Sequence, residues 1–106
     1  MTPPAEQLTA AADLLQPLAE KAQHDLETAD YWACYDKTTA WRDGFVNGFG
    51  GISSDLVAYF TPAFTAELVR LFRAEARRLA LPGPRDPASP HVLTLARTIL
   101  QGAPSR

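Results

Sequence analysis

Four arginines, Arg70, Arg73, Arg77 and Arg78, are the residues whose type and spacing most readily suggest a chemistry. The first three recur at i, i+3 and i+7, which places them on one stripe of a helix. Such a row could neutralise phosphates or an acidic protein surface, and Arg85 and Arg97 could extend it. The same stretch also fits a solvated helix, because Glu67 and Glu75 stand three residues before Arg70 and Arg78. The net charge of −2 and a pI near 5.6 argue against a nucleic-acid binder. So does the Pro-rich linker 82–89, which is too long and stiff for the tight turn of a helix-turn-helix.

A second candidate group is Tyr31, Trp32 and Tyr35. These neighbours cannot all face one core, and aromatic residues dominate the energetic centres of protein interfaces. They are therefore candidates for contact with a protein partner. A third group is the stretch WRDGFVNGFGGISSD, residues 41–55, which holds four of the six glycines. A phosphate-binding loop would need a strand before it and a Gly-Lys-Ser/Thr ending, and neither is present. Trp41, Phe45 and Phe49 instead read as a core stripe at one-turn spacing. Gly50 and Gly51, after Gly48, supply the positive-φ residues of a structural turn. Gly44 and Gly48, four apart, leave a face that another helix could approach closely.

Catalysis and metal binding find little support. Cys34, His24 and His91 have no CxxC or HExxH spacing, so neither a zinc site nor a cofactor is expected. Ser89 lies near His91, but capping a helix is its simpler role. Asp25 with Glu27, and Asp36 with Asp43, do not have the i, i+4 spacing of one helix face. No catalytic residue is assigned, and the chain is expected not to be an enzyme.

The elements that must carry these residues all read as helices. Leu8, Ala11, Leu15, Leu18, Ala22, Leu26 and Ala29 form the stripe of a first helix, with Thr2 as cap, Pro3 in the first turn and Pro17 kinking or breaking it. A second helix is expected over 30–48, capped by Asp30. A short one follows over 54–60, capped by Ser53 or Ser54. Thr61-Pro62 starts the strongest helix, to Ala80, and Ser89-Pro90 starts the last, to about Gln101, with Gly102 and Pro104 after it. The expected core comprises Leu15, Leu18, Leu26, Trp41, Phe45, Phe49, Phe60, Phe64, Leu68, Phe72, Leu79, Val92, Ala96 and Ile99. The fold class is all-α, a compact bundle of four or five helices in a single domain, with 82–89 as an internal linker.

Composition agrees with this. With 106 residues, 46% hydrophobic and 21% charged, the chain has the make-up of a globular domain. The charge is uneven: residues 1–55 sum to −6 and residues 56–106 to +4. Two halves that complement each other explain this most simply. No run of apolar residues is long enough to cross a membrane, no secretory leader is visible, and the one cysteine cannot form an internal disulfide. A cytoplasmic location is expected, and homodimerisation would enlarge a modest core.

The order Asn47 to Gly51, Pro62, Leu71 to Ala76 and Val92 to Leu100 resembles a group of small uncharacterised all-helical proteins from actinobacteria and their phages. There an NGxGG turn, a helix starting at proline, a WLxAEA-like helix and a terminal ALxVARxxL helix recur in this order. The resemblance spans residues 41–101. It implies a small accessory protein of a phage or prophage that binds and modulates a host protein. Some members carry cysteines and histidines in the linker; this chain has only His91 at its end, so no metal role carries over. The reading from sequence is a non-enzymatic protein-interaction protein; a nucleic-acid binder using Arg70, Arg73, Arg77 and Arg78 is the alternative.

Overall fold

Proline and small apolar residues set the ends and contacts of the helices. A computed structural model describes residues 2–103, so the Pro104 expected after the last helix lies outside the described residues. Six helices follow in order: α1 Pro4–Thr28, α2 Asp30–Ala33, α3 Ala40–Gly48, α4 Gly51–Val57, α5 Pro62–Ala80 and α6 Pro90–Gln101. There is no strand among the described residues, so the class is all-α, with one helix more than the upper expectation.

The start signals are only partly placed as the sequence suggests. Thr61 caps α5, its hydroxyl accepting the Phe64 amide at 3.0 Å. Pro4, one residue later than expected, is first in α1, and the Gln7 amide bonds the Pro3 carbonyl. Ala29, not Asp30, precedes α2 in an extended conformation that no side chain caps. α4 starts at Gly51 rather than Ser54, after Gly50 at φ 70°. Ser54 does not cap; it is buried, and its hydroxyl donates back to the Gly50 carbonyl at 2.9 Å. Pro17 does not split α1, which runs unbroken through it.

The continuous helix expected over 30–48 is interrupted at residues 34–39. Asp36 is the local reason. Its carboxylate accepts both the Thr38 amide, at 2.8 Å, and the Thr38 hydroxyl, and its carbonyl accepts the Thr39 amide at 3.1 Å. Such side-chain bonds offer the backbone an alternative to the helix ladder, and the threonine-rich stretch has little helix propensity to oppose it.

The described residues resolve into two compact units, one of residues 2–16 with 67–103 and the other of residues 17–66. The first unit has the principal core. Leu8, Ala11 and Ala12 of α1, Val69, Phe72 and Ala76 of α5 and Ala96 of α6 are buried together. Leu15, Leu68, Leu79, Val92, Leu93, Ile99 and Leu100 pack around them. The alanines let the helix backbones approach, and Phe72, wholly buried, fills the space between them. Of the expected core, Leu15, Leu68, Phe72, Leu79, Val92, Ala96 and Ile99 belong to this cluster.

The second unit contains the aromatic helices α2 and α3, with α4. Its buried side chains are small, Ala19, Ala40, Ser54 and Ala58 among them. Its large ones are only partly covered. Leu18, Phe49, Phe60 and Phe64, expected in the core, are exposed. Five short or partial helical segments enclose too little volume to bury that many rings, so aromatic pairs cover one another at the surface instead.

Candidate functional site

The aromatic positions of the second unit are ordered by the glycines of α3. The Trp32 ring lies on Gly44: a Cβ added there would overlap the ring, standing 2.9 Å from Cε3 and closer still to Cζ3. The Tyr31 hydroxyl donates to the Gly44 carbonyl at 2.7 Å and would lie 3.0 Å from a Cβ on Gly48. The glycine face of α3 therefore admits the aromatic side chains of α2. Trp32 also stacks on Trp41, with centroids 5.6 Å apart and an interplanar angle of 11°. Asn47 Nδ2 donates to the Tyr35 hydroxyl at 3.4 Å. Desolvation, then the neighbouring Tyr35, raises the Tyr31 pKa above the ordinary phenol value.

Tyr31, Trp32 and Tyr35, singled out as partner-contact candidates, thus all have internal contacts, although the Tyr31 ring remains half exposed. Tyr31, Trp32, Gly44, Phe45, Gly48 and Phe49 line an open apolar concavity of about 350 Å³. Phe49 stacks on Phe45 at 5.8 Å yet keeps 81% of its surface in solvent.

Beyond Phe49 comes an apolar face that no candidate list from sequence contained. Ile52 and Leu56 of α4 are 81% and 63% exposed, and Tyr59 in the following turn is 74% exposed. They stand at i, i+4 and i+7, and the turn continues through a Tyr59 amide to Leu56 carbonyl bond of 3.2 Å. Trp41 Nε1 donates to the Val57 carbonyl at 3.4 Å, which ties α3 to the C-terminal end of this short helix. The spacing was present in the sequence. Starting the helix at Ser54 leaves Ile52 outside it and hides the stripe.

The arginine row has mostly internal partners. Arg70 pairs with Glu67 at 2.7 Å, as the i, i+3 spacing suggests. Arg73 reaches Asp13 at 3.0 Å and the Gln16 side-chain oxygen at 2.6 Å. Arg78 binds both oxygens of Glu75 and donates to the carbonyls of Asp86 and Pro87. Glu75 also accepts the Ser89 amide at 2.9 Å. This network fastens the Pro-rich linker to α5, and the Arg78 bond, then the Ser89 amide, lowers the Glu75 pKa to about 2. Arg97 takes the Gln7 side-chain oxygen at 2.8 Å. Among the described residues, Arg77 of the original four has no ion pair.

Among the described residues, no group of three or more His, Cys, Asp or Glu is close enough to hold a metal ion. Cys34 is exposed, its thiol directed to the Tyr31 carbonyl. His91 is exposed at the start of α6, and the Ser89 hydroxyl makes no capping bond; its amide anchors to Glu75 instead. No helix among the described residues is long and apolar enough to cross a membrane. Compared with protein-family models, curated proteins and solved structures, the chain matches none.

Proposed function

We propose that the chain is a small non-enzymatic protein-interaction protein whose working surface is the apolar face of the second unit. The observation that carries this reading is the stripe Ile52, Leu56 and Tyr59, left in solvent at helical spacing, with Phe49 of the same unit also exposed. A contiguous exposed apolar surface costs solubility, and in soluble proteins such surfaces mark contact sites. The resemblance of residues 41–101 supplies a setting: an accessory protein of a phage or prophage that binds and modulates a host protein, in the cytoplasm.

The nucleic-acid reading has weaker support. Row-type phosphate binding needs free cations, and Arg70, Arg73 and Arg78 are engaged by Glu67, Asp13 with Gln16, and Glu75.

The deciding experiment is affinity recovery from cell lysate, with and without nuclease, for the wild type, Ile52→Ser/Leu56→Ser and Arg77→Glu. Recovery of one protein by the wild type and Arg77→Glu, insensitive to nuclease and lost with the double variant, supports the proposal. Recovery that disappears with nuclease or with Arg77→Glu overturns it in favour of the arginine row.

A further inference from the structure

We infer that the α4 face takes a basic amphipathic helix of the partner protein. This rests on the interaction reading and adds the chemistry of the partner. Ile52, Leu56 and Tyr59 form a ridge at helical spacing, the shape that a second helix accepts between its own side-chain rows. Strand addition is not open to this unit, since it has no sheet edge among the described residues. The concavity of the same unit, lined in part by Phe49, has room for one large apolar side chain.

Charge decides what else that helix carries. Residues 17–66 contain Glu20, Asp25, Glu27, Asp30, Asp36, Asp43 and Asp55 against Lys21, Lys37 and Arg42, a net charge of −4. Asp55 stands on the ridge itself, three residues from Ile52 and four from Tyr59, exposed and with no ion pair among the described residues. A unit of net negative charge with Asp55 on its exposed ridge disfavours nucleic acid, an anionic bilayer and the same face of a second copy, and favours a cationic partner. A helix with apolar residues along one side and lysine or arginine flanking them satisfies both the ridge and the field.

The test uses two synthetic tryptophan-free peptides of about five helical turns, with the same leucine face and with either lysine or glutamate at the polar positions. Binding is read from the fluorescence of Trp32, which lines the concavity, and of Trp41, which stacks on Trp32. The lysine peptide is expected to bind at least about tenfold more tightly than the glutamate peptide, with the margin shrinking as salt screens the charges. Ile52→Ser/Leu56→Ser should weaken the lysine peptide about tenfold, and Asp55→Lys should reduce the preference between peptides several-fold. Equal affinities would overturn the charge inference and leave the interaction reading standing. Unchanged binding by the serine variant, or no binding of either peptide, would overturn the helix proposal. The lysate experiment with the same variants then judges the interaction reading by itself. A dimer seen by ultracentrifugation and dissolved by the serine variant would make a second copy the occupant and overturn the proposal.

Discussion

The indole of Trp32 occupies the space where a Gly44 side chain would be. Glycine inside α3 sacrifices about 1 kcal/mol of helix propensity relative to alanine, and the aromatic contact is what that sacrifice permits. Gly44→Ala is therefore expected to destabilise the chain by about 1–3 kcal/mol through overpacking. In a Trp32→Ala background the sign should reverse, since only the propensity gain remains. Urea unfolding of the four proteins of this cycle checks the reversal; a loss of similar size in both backgrounds would refute the contact.

Glu75 links pH to stability through Arg78 and Ser89. Its carboxyl titrates near 2 in the fold, against an ordinary value of 4.5. The unfolded chain binds the proton first on acidification, so the contribution of Glu75 is complete above about pH 4.5 and is lost as pH falls towards 2. Glu75→Gln should lower stability by about 1–2 kcal/mol at pH 7 and by roughly half of that at pH 3. Denaturant midpoints of both proteins at the two pH values measure this.

Gly51 has φ 75° with nothing within 4 Å of the place a Cβ would take. Any cost of substitution there is conformational, not steric crowding. Gly51→Val should destabilise by about 1–2 kcal/mol, and Gly51→Asn by clearly less, because asparagine tolerates the left-handed region. Thermal unfolding of the two variants distinguishes them.

Phe72 and Phe49 are both expected in the core on sequence pattern, yet one is fully buried and the other mostly exposed. Phe72→Ala should cost about 3–5 kcal/mol, and Phe49→Ala no more than about 1 kcal/mol. Calorimetric unfolding of the pair tests the placement directly.

Ile52→Ser/Leu56→Ser should leave the unfolding free energy within about 1 kcal/mol of the wild type, because both side chains already face solvent. A larger loss would place the stripe in a packed interior and remove it as a binding face.

Local signals were legible without coordinates. Thr61-Pro62 sets the start of α5 because a hydroxyl cap and a fixed φ act within one turn. Gly50 and Gly51 take positive φ because only their lack of a side chain makes that turn inexpensive. The face of α5 that buries Phe72 and Ala76 follows from a period of 3.6, and the Glu67–Arg70 and Glu75–Arg78 pairs follow from their spacing. Whether Phe49, Phe60 and Phe64 are enclosed, what meets the glycine face of α3, and which partner holds Arg73 depended on residues remote in sequence. Periodicity defines a face but not its occupant. Asp13 is sixty positions from Arg73, and only the tertiary structure could bring one to the other while leaving Ile52 and Leu56 in solvent.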